Sequence, residues 1–234
     1  MFEQMFEHRQ VSAAALRNLV TSANDPAQVD TAALPLLQGL TGLLPESGLR
    51  RGSTVAVEGT TSLALALLAG PSQAGSWCAV VGAPELGLLA AAEYGIALDR
   101  LALIPRPGQA WASVVAALID AFDVVAIRPT GSVPPGLASR LTARLRKHGG
   151  VLLCLGQWEG ADLRLTTVGE RWDGLGDGHG RLRARRVRVR VSGRHGAVAV
   201  PREGQLWLPA SDGSVAVVTE PPTPLRRVQL REAV

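Results

Sequence analysis

The sequence is short of lysine, cysteine and aromatic residues. Lys147 is the single lysine, so the basic side chains are almost all arginine, although the net charge is only +4. Cys78 and Cys154 lie in apolar, strand-like segments, which predicts reduced thiols in a core and excludes a disulfide framework. Arginine enrichment favours nucleic-acid binding only where the arginines cluster along the chain.

The sequence also lacks any apolar run that approaches the roughly 18 residues needed to cross a bilayer. Its first ten residues include acidic side chains and no apolar signal region. We therefore predict a soluble, cytoplasmic protein. A length of 234 residues favours one large domain. We expect a helical segment over residues 1–33, the core over 34–210 and a flexible tail over 211–234.

Short apolar segments alternate with helix-period segments from residue 53 onward. The predicted strands cover residues 54–57, 77–81, 101–104, 124–127 and 151–155, and the predicted helices cover 63–69, 85–94, 110–121 and 137–148. This alternation is typical of an α/β fold with a mainly parallel sheet covered on both faces. Period-two patterns over 161–168 and 181–191 then predict a C-terminal antiparallel hairpin, with last strands near 198–200 and 206–208.

Residues 54–63 have the layout of a phosphate-binding loop, because a strand passes through a glycine turn into a helix. A working loop needs several glycines, a lysine for the β- and γ-phosphates, and a Ser or Thr for magnesium. This segment has one glycine and no lysine. The degenerate loop consists of Gly59, Thr60, Thr61 and Ser62. Its hydroxyls either cap the next helix, which we favour, or retain weak phosphate affinity.

Arg128 follows the predicted strand 124–127, where an ATPase of this build places the carboxylate that positions magnesium. A cation at that position would repel Mg²⁺, so two independent losses argue against hydrolysis. Arg128 itself either binds an anion or faces solvent. His148, His179 and His195 have no ligand neighbours at metal-site spacing, and we predict no metal, cofactor or catalytic residue.

Residues 48–59, 75–81 and 94–103 resemble the RecA recombinase core, and the resemblance extends over residues 35–165. Within that superfamily the degenerate loop, the short chain and a glycine-rich segment at 172–180, followed by an arginine-rich strand, are most similar to ImuA-type mutagenesis proteins of the actinobacterial branch. The resemblance implies a DNA-damage-induced accessory of error-prone translesion synthesis in the SOS response, associated with the nucleoid.

The resemblance also implies partners. These are an ImuB-like inactive homologue of Y-family polymerases and, indirectly, an error-prone C-family polymerase, with RecA and single-stranded DNA as further candidates. Glu85 stands one position from the catalytic glutamate of RecA proteins. It is either that residue displaced or the first-turn acid of a helix started by Pro84, and we favour the helix start.

Arginines cluster most densely after the glycine-rich segment. The cluster consists of Arg181, Arg183, Arg185, Arg186, Arg188, Arg190 and Arg194. Alternation places Arg186, Arg188 and Arg190 on one face of a strand, and the change of parity at 185–186 indicates a bulge or a twist. The row binds nucleic acid or an acidic partner, or it is an edge strand that charge protects from aggregation.

Two further features have a structural and a functional interpretation. Arg140, Arg144 and Lys147 share a helix stripe, which we interpret as a solvated face. Trp158 and Trp172 follow strand ends, where packing is favoured over a stacking surface for a base.

Three functions are consistent with these patterns. The leading hypothesis is a non-catalytic adaptor that acts through protein partners. The second is a nucleotide-dependent DNA-binding ATPase in which Thr60 or Thr61 holds a metal and Glu85 acts as base. The third is a structural partner that caps or blocks a RecA filament.

Overall fold

The structure is a computed structural model that describes residues 33–176, 179–194, 198 and 200–218. The predicted helical segment before residue 33 lies outside the described residues. The strands are β1 (Ala33–Pro35), β2 (Gly48–Arg50), β3 (Thr54–Glu58), β4 (Cys78–Val81), β5 (Leu101–Ile104), β6 (Val124–Ile127), β7 (Val151–Leu155), β8 (Leu163–Gly176), β9 (His179–Gly193), β10 (Arg202–Trp207) and β11 (Ala216–Val217). The helices are α1 (Thr61–Gln73), α2 (Leu88–Glu93), α3 (Trp111–Ile119) and α4 (Pro135–His148), with short 3₁₀ turns at Gln38–Leu40, Leu98–Arg100 and Gly108–Ala110.

Nine of the described strands form one mixed sheet in the order β11-β10-β9-β8-β3-β7-β6-β4-β5. The strands from β5 to β8 pair in parallel. From β8 onward β9, β10 and β11 pair antiparallel. The predicted α/β class with a C-terminal antiparallel hairpin is therefore confirmed. β1 and β2 form a separate two-stranded sheet.

Apolar side chains cover both faces of the central strands, as continuous apolar strand sequences require. On one face, which we call the inner face, Val55 and Val57 pack with α1, α2 and the segment 34–44. On the opposite, outer face, Ala56 packs with α3 and α4. The apolar residues of the hairpin join the inner face only. The outer face of β8, β9 and β10 therefore has no helix over it in the described chain.

Helix α1 is buried along nearly its whole length because the segment before β2 covers its other side. Leu63 and Leu67 are fully buried between the sheet and that segment. Gly70 lies so close to it that an added Cβ would stand 2.6 Å from the Pro35 carbonyl oxygen. An all-round apolar helix is consistent with burial on every side.

The hairpin is longer than the sequence patterns indicate. Residues 172–176 belong to β8, and two register shifts interrupt its pairing with β9. Between Thr167 and Gly169 the extra residue is in β8, whereas between Asp173 and Leu175 the extra residues, 181–183, are in β9. One irregularity therefore lies in β8 and the other in β9. The pairing is continuous through Arg185 and Arg186, so the bulge predicted at 185–186 is wrong. The last major strand is β10, whereas 198 and 200 are outside any strand. β11 extends the sheet into residues assigned to the tail.

Cys78 and Cys154 are buried and free. Burial raises the pKa of both thiols to about 12, so at neutral pH they are protonated core side chains. None of the described helices is both long enough and apolar enough to cross a membrane.

Candidate functional site

The degenerate loop lies at the carboxyl end of β3, the edge of a parallel sheet where ligands bind in open α/β folds. Gly59 has a positive φ of 106°, and a Cβ there would stand 2.6 Å from the Thr167 Cβ. Thr60 occupies the N-cap position of α1 in an extended conformation, but its side chain makes no capping hydrogen bond. The favoured interpretation of side-chain capping is therefore wrong for Thr60.

An arginine holds the Thr60 hydroxyl instead. Arg185 Nη2 donates to Thr60 Oγ1 at 3.0 Å, and Arg185 Nε donates to the Leu208 carbonyl oxygen at 2.9 Å. The Glu170 carboxylate lies 3.5 Å from Arg185 Nη1, and the Trp172 ring centroid lies 5.3 Å from its guanidinium carbon. Arg185 is only 9% exposed, so these contacts satisfy a charge that would be costly to bury alone.

A second arginine holds the Thr61 hydroxyl. Arg128 follows β6, and its Nη2 donates to Thr61 Oγ1 at 3.2 Å. Its Nη1 forms an ion pair with Glu85. Glu85 lies in a turn three residues ahead of α2, so the interpretation of Glu85 as the first-turn acid of a helix is wrong. Arg128 therefore does not simply face solvent. The anion that it binds is the carboxylate of Glu85.

These contacts define what the carboxyl edge of β3 can do chemically. Both threonine hydroxyls already accept a hydrogen bond from a guanidinium, and Glu85 already neutralises Arg128. A magnesium site would need an oxygen free to coordinate the metal, whereas a cation lies against each hydroxyl. Within the described residues, no cluster of three or more His, Cys, Asp or Glu side chains could hold a metal ion.

Tyr94 packs against the inner-face core, with its hydroxyl near Ser62 and Arg185. Its hydroxyl oxygen is buried with no hydrogen-bond partner in the described chain. Burial raises the pKa of Tyr94, so the phenol stays protonated at neutral pH.

The arginine cluster divides between the two faces of β9. Val187, Val189 and Val191 are fully buried on the inner face, and Arg185 shares their parity and their face. Arg188 and Arg190 are exposed on the outer face, and Arg186 is half-buried beside them. The predicted row of three arginines opposite three valines is therefore present. Arg181 and Arg183 are exposed near the hairpin tip, and Arg194 donates to the Gly160 carbonyl oxygen at 3.1 Å.

The other candidate side chains have structural roles. Trp158 is 1% exposed and packs in the outer-face core, as the favoured interpretation stated, whereas Trp172 is 39% exposed beneath Arg185. On α4, Arg144 and His148 both contact the Asp120 carboxylate at the end of α3. That part of the basic stripe therefore joins two helices.

Comparisons with known proteins agree with this architecture. The model of the family described as MT3502 N-terminal domain matches residues 42–160, half of the chain. The chain belongs to this family. Uncharacterized protein Rv3395c of Mycobacterium tuberculosis is 41% identical over 116 residues, which are 49% of this chain and 57% of that relative. The match thus spans little more than half of the relative's length.

The MT3502 N-terminal domain match contains the degenerate loop, Glu85 and Arg128, but it ends before β8. Flagellar accessory protein FlaH from Methanocaldococcus jannaschii has a crystal structure that aligns with a TM-score of 0.53 at 13% identity, over 82% of this chain and 100% of FlaH. That likeness concerns the fold, and it shows that this member of the family has a RecA-like α/β fold.

Sequence reasoning missed that Arg185 belongs to the loop region. The signal was present, because period-two alternation through Val187 and Val189 also assigns Arg185 to the inner face. Its partner Thr60 lies 125 residues away, and no local pattern connects the two.

Proposed function

We propose that this chain is a non-catalytic RecA-like accessory protein of an error-prone translesion DNA synthesis complex. It acts through protein partners in DNA-damage-induced mutagenesis, in the cytoplasm and at the nucleoid. Its direct partner is an ImuB-like inactive homologue of Y-family polymerases, and an error-prone C-family polymerase is reached through that partner. RecA is a further candidate partner.

One observation carries the non-catalytic part of the proposal. Arg128 and Arg185 bind the hydroxyls of Thr61 and Thr60, the two groups that a nucleotide-bound metal would need. The loop has no lysine for the β- and γ-phosphates. Binding of Mg·ATP would have to break both hydrogen bonds and the Arg128–Glu85 ion pair, with no phosphate cradle to compensate.

The support for a polymerase complex is the sequence resemblance to ImuA-type proteins, which rests on the degenerate loop, the short chain, and the glycine-rich residues 172–180 with the arginine-rich strand that follows. In the structure, residues 172–176 and 179–193 belong to β8 and β9, the paired strands beyond the family match. This hairpin is an addition to the parallel sheet and offers surface that a bare nucleotide-binding core lacks.

Affinity purification against three purified candidates tests the adaptor role. The full chain is immobilised and presented with an ImuB-like protein, RecA and a C-family polymerase, each alone and in pairs. We expect direct retention of the ImuB-like protein and retention of the C-family polymerase only when the ImuB-like protein is present. Retention of RecA alone, without the ImuB-like protein, would favour a filament-capping protein and contradict the proposal.

A nucleotide-dependent DNA-binding ATPase is the second candidate, because Glu85 does lie at the same edge as Thr61, joined to it through Arg128. In that function Arg128 would release both groups when nucleotide binds. Arg128→Ala would then change the affinity for ATP. The adaptor proposal instead expects no measurable ATP binding by the wild type or by the Arg128→Ala variant.

A further inference from the structure

The outer face of β8, β9 and β10 carries a row of arginines that none of the described helices covers. Cross-strand partners point to the same face of a sheet, so the register defines this surface, which we call the arginine face. Arg186 stands between Arg171 and Trp207, Arg188 between Gly169 and Gln205, and Arg190 between Thr166 and Glu203.

Carboxylates neutralise the arginine face unevenly. Glu203 contacts Arg190 at 2.7 Å but approaches Arg188 only to 4.0 Å. Arg186 has no carboxylate within ion-pair distance among the described residues, and its guanidinium lies 4.9 Å from the Trp207 ring centroid. Its buried Nε also has no hydrogen-bond partner in the described chain. Because no described carboxylate pairs with Arg186 and the one near Arg188 is 4.0 Å away, the exposed parts of both guanidinium groups can pair with an external anion.

The shape of the arginine face fits an extended chain of anions. Gly169 has no side chain opposite Arg188, and two shallow grooves of about 400 and 240 Å³ meet there, both lined by Arg188 and Gln205. Side chains two residues apart on a strand are about 7 Å apart, so a phosphodiester chain can meet successive guanidinium groups. The Trp207 ring and the Arg186 guanidinium that lies over it add a flat surface on which a nucleobase can stack.

We propose that the arginine face binds single-stranded nucleic acid, with Arg186 and Arg188 contacting phosphates. A single strand is the occupant because an open sheet presents small grooves and flat stacking groups to splayed bases. Reading a duplex instead calls for a helix or ribbon that enters the major groove. This inference adds to the proposed function and does not depend on it, because Arg185 and the degenerate loop lie on the opposite face of β9.

Fluorescence anisotropy of the full chain tests the inference without nucleotide or protein partners. The probe is a labelled single-stranded oligonucleotide of about 16 nucleotides, a length at the upper end of common site sizes. The double variant R186Q/R188Q should weaken binding about tenfold or more and lower the slope of log K against log salt by about 1.4, or 0.7 for each lost phosphate contact. The control Arg106→Gln removes an exposed charge at the opposite edge of the sheet and should change affinity less than about twofold.

A gain of affinity provides a second, independent readout. Glu203→Gln releases Arg190, so it should tighten binding by about two- to threefold and steepen the salt slope by about 0.7. Asp99→Asn, which removes an exposed carboxylate elsewhere, should not reproduce this gain. If Glu203 had only a structural role, Glu203→Gln would bind the oligonucleotide more weakly than the wild type, or its salt slope would be unchanged.

Three outcomes would overturn the inference. They are equal losses in R186Q/R188Q and Arg106→Gln, binding of the matched duplex as tight as that of the single strand, and binding of labelled polyglutamate but no oligonucleotide. ATP turnover in a separate assay would contradict the proposed function and leave this binding result intact, so the two can fail separately.

Discussion

Arg185 is a buried cation whose neighbours explain its position. It joins the degenerate loop to the hairpin through Thr60 and the Leu208 carbonyl oxygen, and Glu170 and Trp172 flank it. Removal of such a side chain leaves polar partners without a hydrogen bond, which costs more than the net value of the bonds themselves. The loop conformation therefore depends on the hairpin.

Arg185→Ala should lower the free energy of unfolding by about 2 kcal/mol, since it deletes two hydrogen bonds at a buried position. Arg183→Ala is the matched control, because Arg183 lies two residues earlier and is exposed; its effect should stay within about 0.5 kcal/mol. Urea unfolding monitored by circular dichroism measures both. Equal stability losses in the two variants would show that Arg185 is not the link described.

Asp120 gives the structure an acid-sensitive contact between α3 and α4. Hydrogen bonds from Arg144 are the main cause that holds the pKa of Asp120 below its ordinary value. Because the pKa is lowered in the folded protein, the ionised carboxylate contributes its full stabilisation above the ordinary carboxyl pKa, near 4. This contribution is lost as the pH falls from there through the lower pKa of the folded protein.

Asp120→Asn should therefore destabilise the protein at neutral pH. Between neutral pH and about pH 3 the variant should also lose less stability than the wild type does. The pair is partly exposed, so the effect at neutral pH should be only about 0.5 to 1 kcal/mol. Thermal unfolding at both pH values measures it, with Asp99→Asn as the comparison. An Asp120→Asn variant that loses as much stability in acid as the wild type would be the contrary result.

Helix α1 shows how packing reverses an intrinsic preference. Alanine is favoured over glycine in a helix interior by about 1 kcal/mol, yet a Cβ at Gly70 would meet the backbone of Pro35 and Leu36 at 2.6 to 2.8 Å. Backbone atoms cannot move aside as a flexible side chain can, so the close approach requires glycine.

Gly70→Ala should destabilise the protein by about 1 to 3 kcal/mol, the usual cost of overpacking. Gly136→Ala in α4 is the matched control, because nothing lies within 4 Å of an added Cβ there; it should be neutral or stabilising by a few tenths of a kcal/mol to about 1 kcal/mol. Denaturant midpoints compare the pair. A Gly70→Ala variant as stable as the wild type would mean that the segment before β2 does not pack as described.

The strands of the parallel sheet could be predicted from the sequence because each is a continuous apolar run. The hairpin could be predicted in kind but not in length. The glycines of residues 172–176 favour a turn, whereas in the folded chain these residues belong to β8 and a register shift opposite residues 181–183 of β9 accommodates them. Helix α2 was predicted too early, since Pro84 is a good helix start in isolation while the ion pair of Glu85 with Arg128 forms only in the folded chain.

The two faces of β9 separate two roles in the molecule. The inner face connects Arg185 to the degenerate loop, and the outer face presents Arg186 and Arg188 to solvent. Neighbouring arginines of one sequence cluster therefore have opposite environments. The pattern of the cluster could be predicted from the sequence, but the distant partner Thr60 and the carboxylate of Glu203 are brought in only by folding.

ATP turnover by the full chain tests the account most directly, measured at millimolar Mg·ATP with and without single-stranded DNA and beside an active RecA protein. Because Arg128 and Arg185 occupy the hydroxyls of the degenerate loop, the account predicts no turnover above the protein-free background under either condition. DNA-stimulated turnover that is abolished by Glu85→Ala would contradict it and would identify the protein as an ATPase.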